Sequence, residues 1–266
     1  MKGLAMTNKL SDAELKEFLD EKAEHYNQPV FIESDPISIP HQFTKPEDIE
    51  VAGFYTATIA WGYRPNIIRN ANRLMNLMDN SPADFIRNAE TNEINRLKNF
   101  VHRTFNGEDC ISFFYALRHI YIHYGGLGKL IEGLYESHKN MKETLIEFRR
   151  IFFGAPHQSL RTGKHVADVS RNSSAKRLNM FLRWMVRNDD KGVDFGLWKG
   201  IPASALYLPL DLHTGNVARY LGLITRRQND WKAVKEVTLR LQHFEPKDPV
   251  KYDFALFGLG IFENFK

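Results

Sequence analysis

A lysine and an aspartate carry the chemistry this chain offers most directly. Lys176 opens the run Ser173-Ser-Ala-Lys176-Arg-Leu-Asn-Met-Phe-Leu-Arg-Trp-Met-Val-Arg187, whose apolar residues recur at helical spacing. Asp211 stands in Leu208-Pro-Leu-Asp211-Leu-His213-Thr-Gly-Asn-Val-Ala-Arg219-Tyr-Leu-Gly222, just ahead of a second helix-like stretch. A lysine near the start of an amphipathic helix can be desolvated. A carboxylate facing it then either neutralises it as a salt bridge or helps to use it as an amine nucleophile. Spacing alone leaves both options open.

Competing constellations fail on their own chemistry. His119 and His123 lie one helical turn apart, but the Glu of a His-Glu-x-x-His zinc motif is missing and no third ligand is evident, so no metal is expected. Gly125-Gly126-Leu-Gly128-Lys129 has His123 and Leu130 where a phosphate-binding loop needs Gly and Ser or Thr. There is no Gly-x-Ser-x-Gly elbow. The single cysteine, Cys110, excludes an internal disulfide and a thiolate-rich zinc site, and core packing is its expected role. Most aromatic residues are expected to fill the core. Trp198 is the exception, because Trp198-Lys199-Gly200-Ile-Pro202 is irregular, precedes Asp211 and could line a pocket.

The elements that must position this pair read as helices. At 266 residues with 43% hydrophobic content, the chain is one all-α domain spanning 1–266, with room for two helical lobes and a cleft near Lys176 and Asp211. Ser11-Asp-Ala-Glu14 is a capping-box start, Pro46 and Ser81-Pro82 begin further helices, and Glu108 to Tyr124 reads as a buried central helix ended by Gly125-Gly126. Pro29, Pro36 and Pro40 predict an extended surface loop from Gln28 to Lys45. Later helices follow near Asn229 to Phe244 and after Asp248-Pro249, and no alternating strand pattern is evident. No run approaches the ~18 apolar residues of a membrane span, and the start lacks the apolar core of a secretory signal, so a cytoplasmic location is expected.

Net charge is a mild +4, yet Arg149, Arg150, Arg161, Lys164, Arg171, Lys176, Arg177, Arg183 and Arg187 face only Asp168 in their own stretch. Such a run either attracts a polyanion, nucleic acid above all, or is a solvated face whose acidic partners come from elsewhere in the fold.

The segment Pro209-Leu-Asp211-Leu-His213-Thr-Gly-Asn-Val-Ala-Arg219-Tyr-Leu-Gly222 resembles the Pro-Val-Asp-Thr-His-Val-x-Arg-x-x-x-Arg-Leu-Gly signature of the helix-hairpin-helix DNA glycosylases, typified by endonuclease III. The wider chain is similar to a bacterial family of unknown function, in Ala60-Trp61-Gly62-Tyr-Arg64, Asn99-Phe100-Val101-His102-Arg103, Phe181-Leu-Arg183-Trp184-Met185-Val-Arg187 and Asp248-Pro-Val-Lys-Tyr252-Asp253-Phe-Ala-Leu-Phe-Gly258. The glycosylase likeness covers only the C-terminal third. Ser170-Arg-Asn-Ser-Ser-Ala-Lys176 replaces the glycine-rich hairpin of that superfamily, and the lysine-to-aspartate separation is longer than in endonuclease III. Archaeal 8-oxoguanine glycosylase/lyases are the nearest analogue.

The resemblance implies a two-lobed glycosylase-like fold with an atypical hairpin, acting on double-stranded DNA by base excision, with oxidised purine as the first substrate to test. Asp211 takes the catalytic carboxylate's place and Lys176 that of the lyase amine. Trp198, Phe181 and Trp61 would stack the extruded base. Arg171, Arg177, Arg183 and Arg187 would contact phosphate, although Arg183 and Arg187 could instead pair with Asp190 and Asp194. His213 and Arg219 take structural places. No cofactor is implied, since one cysteine cannot hold an iron-sulphur cluster, and no membrane or protein partner is expected. A nucleic-acid-binding protein that has lost catalysis, and a purely structural protein, are the alternatives.

Overall fold

The computed structural model describes residues 10–263 and 265 and is all-α, and its helices begin where the chain supplies caps. Ser11 and Glu14 close a capping box on α1 (Asp12–Tyr26), with Ser11 N donating to Glu14 Oε2 at 2.8 Å. A short α2 (Val30–Ser34) and two 3-10 turns (Pro36–Ser38, Pro40–Gln42) lead to α3 (Pro46–Ile59). Prolines in the first turn also open α4 (Arg64–Leu77) and α5 (Pro82–Asn88), where the missing N–H is lost at no cost. After α6 (Thr91–Ile94) comes a two-residue-a-strand antiparallel hairpin, β1 (Val101–His102) with β2 (Phe105–Asn106). The central α7 (Gly107–Tyr124) stops at Gly125, whose φ of 80° is left-handed. Then follow α8 (Leu127–His138), α9 (Met141–Gly154), α10 (Lys176–Val186), α11 (Leu212–Tyr220), α12 (Trp231–Phe244) and α13 (Tyr252–Ile261).

The core is built around α3, in which every residue from Asp48 to Ile59 is buried. A helix buried on all sides must be surrounded, and α3 packs against α4, α5 and α10. Phe54 meets Phe113 of α7 at 5.7 Å and Phe181 of α10 at 5.4 Å between ring centroids. Gly53 permits this approach, since a Cβ there would sit 3.0 Å from Met185 Cε and 3.3 Å from Phe181 Cε2. On the other side α1 lies along α13, and α13 packs on α11. These contacts fix the two helices that begin at Lys176 and just after Asp211.

Two expectations are corrected. The segment from Gln28 to Lys45 is not an extended surface loop: its prolines start α2 and short turns, and Ile37 and Ile39 are fully buried. The hairpin escaped detection because two residues a strand are too few to display alternation. No helix among the described residues is long and apolar enough to cross a membrane.

Candidate functional site

Helix α10 starts without a side-chain cap, from Ala175 in the left-handed region at φ 50°, ψ 34°. The turn ahead of it is held from outside. Asn172, also left-handed at φ 65°, donates from Nδ2 to Asp230 Oδ2 at 2.8 Å and accepts from Trp231 N at 3.1 Å. Lys176 therefore enters the first turn in a fixed place. Its Nζ lies 3.8 Å from Asp211 Oδ2 and 3.6 Å from Met180 Sδ.

Asp211 divides its carboxylate between two tasks. Oδ1 caps α11, accepting from His213 N at 2.9 Å and Thr214 N at 3.0 Å, while Oδ2 turns to the lysine. Its own N–H donates to Thr214 Oγ1 at 2.9 Å, and its carbonyl accepts from Asn229 Nδ2 at 2.7 Å. Arg219 holds Asn229 through Oδ1 and donates from Nε to Arg226 O at 2.9 Å. Gly215 leaves room for this brace, since a Cβ would fall 2.6 Å from Asn229 Oδ1. Both halves of the pair are thus tied to one stretch, 226–231.

Between them opens a cleft of about 620 Å³, within the range of small-molecule sites. Its walls include Asp35, Trp61, Arg64, Trp184, Asp253 and Phe257. Arg64 lies 5.0 Å above the Phe257 ring, and Arg177 lies 4.8 Å above Trp61 while donating to Thr58 O. Burial lowers the Arg177 pKa to about 10. Asp253 spends Oδ2 on Arg183, and burial lifts its pKa to about 6 despite the positive charges of Arg183 and Lys176. Burial also raises the pKa of Asp35, against the Ile37 N–H bond and the charges of Arg64, Arg183 and Lys176.

The structure brings together Lys176, Arg177, Asp211, His213 and Trp61, all of which line this cleft. His213 lies in the first turn of α11 with its side chain exposed. Arg171 is exposed over most of its side chain and lies 3.5 Å from Asp168. Trp198 and Phe181 are elsewhere. Trp198 is 2% exposed and donates from Nε1 to Glu50 Oε1 at 2.9 Å, and Phe181 is 1% exposed and packs edge-on against it. The cause is local: Phe195 N and Trp198 N donate to the carbonyls of Trp184 and Met185, so the irregular segment folds back along the end of α10 and inserts its tryptophan into the core.

The expectation that Arg183 and Arg187 face phosphate is likewise corrected. Each is 3% exposed. Arg183 pairs with Asp194 at 3.2 Å and with Asp253, and Arg187 pairs with Asp189 at 2.7 Å, Asp248 at 2.8 Å and Asp194 at 3.2 Å. Much of the remaining basic run is also answered internally, with Arg161 on Asp109 and Arg150 on Glu147. Acidic partners from elsewhere in the fold absorb the charge that looked unopposed in sequence. The His119 and His123 rings lie 4.4 Å apart, and no group of three or more potential metal ligands occurs among the described residues.

Sequence reading missed Asp35, Arg64, Trp184 and Asp253 as cleft residues. Two had a signal: Asp35-Pro36 is a capped-turn start, and Asp253 is the lone charge in the apolar run from Tyr252 to Ile261.

No curated protein and no solved structure matches the chain. Residues 35–262 match the family described as protein of unknown function (DUF2400), and the chain belongs to that family.

Proposed function

We propose that this protein is a base-excision DNA glycosylase with lyase activity, acting on a damaged base extruded from double-stranded DNA. One observation carries the reading: the Lys176 ammonium and the free oxygen of Asp211 lie 3.8 Å apart, side by side in the lining of a cleft large enough for a nucleobase. The glycosidic carbon is shielded within a duplex, so the nucleotide must leave the stack, at about a few kcal/mol that a damaged pair lessens. Trp61, partly buried in the cleft wall, then supplies an aromatic surface, and Arg171 an exposed cation for phosphate.

In the reaction, Lys176 passes one ammonium proton to Asp211 Oδ2, and the freed amine forms a bond to the anomeric carbon as the bond to the base breaks. The departing base keeps the electron pair and takes up that proton from Asp211 Oδ2, which becomes a carboxylate again. Asp211 Oδ2 stabilises the positive charge that builds on the sugar and then accepts the proton that the attacking amine sheds. Loss of the ring oxygen's bond gives a Schiff base, from which the 3′ phosphate is eliminated. The balance needs no cofactor.

Borohydride trapping on duplexes carrying 8-oxoguanine, uracil or an abasic site tests the lyase step. A covalent adduct that Lys176→Ala removes is expected, and an adduct unchanged in that variant removes the lysine from its role. Asp211→Asn keeps the helix cap through its remaining oxygen, so a loss of base release reports the charge. Salt-dependent duplex binding with neither release nor adduct would instead support a binding protein without catalysis.

A further inference from the structure

The cleft contains polar groups that Lys176 and Asp211 leave unused. Asp35 is 7% exposed and lines the cleft, its Oδ1 accepting from Ile37 N at 3.1 Å. No hydrogen bond to its Oδ2 and no ion pair within 4.0 Å occurs among the described residues. Trp184 is fully buried in the same wall, and its indole N–H has no acceptor among the described residues. A buried donor without a partner is unfavourable, and it becomes favourable when a ligand supplies the acceptor. A carboxylate that accepts and an indole that only donates define the ligand edge that complements them.

Resting on the glycosylase reading, we propose that this wall reads the Watson–Crick edge of a guanine-type base. Asp35 accepts from N1–H and the 2-amino group, and Trp184 Nε1 donates to O6. Guanine is the one common base that presents two adjacent donors followed by an acceptor. Adenine places its N1 lone pair against the carboxylate, and uracil offers a single N–H between two carbonyls. Damage at the five-membered ring, by oxidation at C8, alkylation at N7 or ring opening, leaves this edge intact. The substrate class is therefore guanine modified on its imidazole side.

The test compares 8-oxoguanine with 8-oxohypoxanthine, which lacks only the 2-amino group, as single lesions in one duplex under single-turnover conditions. Wild type should release 8-oxoguanine faster by roughly 10- to 100-fold, the range for a hydrogen bond to a charged group. Asp35→Asn, which keeps the turn's cap, should bring the ratio to about one while borohydride trapping at a preformed abasic site persists. An unchanged ratio in Asp35→Asn, or equal release of both bases by wild type, overturns the inference and leaves the glycosylase reading standing. Quenching of tryptophan fluorescence by 8-oxodeoxyguanosine against 8-oxodeoxyinosine gives a readout without catalysis. If no duplex is cleaved yet the guanosine analogue binds more tightly and Asp35→Asn abolishes the preference, the edge assignment holds and the glycosylase reading falls. If neither nucleoside is preferred and no lesion is released, both fall.

Discussion

The two ends of α10 hold four cations in opposite circumstances. At its start, among the described residues, Lys176 has one carboxylate at 3.8 Å and Arg177 has only a carbonyl and an aromatic face. At its end, Arg183 and Arg187 are enclosed by Asp189, Asp194, Asp248 and Asp253. The sequence already differs between them, with Asp189, Asp190 and Asp194 following Arg187 and no acid between Arg171 and Arg177. A fully buried guanidinium is costly unless its charge is paired, and the acids at this end come from α13, from Asp248 in the turn ahead of it and from the segment between Lys176 and Asp211. Under-pairing at a cleft marks a group that still has charge to offer a ligand.

The largest effect belongs to the open end: Lys176→Ala should abolish the borohydride-trapped adduct outright while leaving the melting temperature close to wild type. At the closed end, Arg183→Leu should leave Asp194 and Asp253 without their shared partner and destabilise the fold by about 3–5 kcal/mol in urea unfolding. Equal stability of the two variants would erase the distinction. Trp61→Ala should weaken binding of a lesion duplex by about 1–3 kcal/mol, the worth of one stacked base, which titration can measure.

Asp253 joins the two ends, and its pH dependence has a definite sign. Its folded pKa of about 6 lies above the ordinary 3.8, so the protonated form is favoured by folding. Its contribution to stability is fully present below about pH 4, declines as pH rises towards 6 and is flat above. Relative to Asp253→Asn, wild type should therefore lose stability across that window in parallel denaturation curves. A difference that grows in the opposite direction would mean that pairing with Arg183 outweighs burial. The smallest effect is expected at exposed Arg171, where substitution by Ala should lower the salt slope of DNA binding by about 1 and leave stability alone.

What was legible in the sequence follows the range of each signal. Helix starts were readable because a cap is local: Ser11 with Glu14, Pro46 and Pro82 act within one turn. The juxtaposition of Lys176 and Asp211 was legible through motif likeness, and the all-α class through periodicity. The fate of Trp198 was not, because the irregular residues around it resemble a loop and only their hydrogen bonds to the end of α10 send the ring inward. The arginines of α10 were legible in part: Asp194 stood among their expected alternative partners and does pair with both, whereas Asp248 and Asp253 lie far along the chain. Asp35 was hidden by its setting among three prolines, which read as a surface loop and instead shape one wall of the cleft.

The brace at 226–231 has a mechanical consequence. Asn172 is clasped to Asp230 on one side of the cleft and Asn229 grips the carbonyl of Asp211 on the other, so the jaws share a single rigid anchor. A mouth built this way does not yawn to admit a double helix. On the proposed glycosylase reading, the body that yields would be the nucleic acid, and smooth bending of a site costs it about 1–6 kcal/mol. Steps that kink readily, or that damage has already loosened, would then be favoured through their compliance, before any side chain has touched the base.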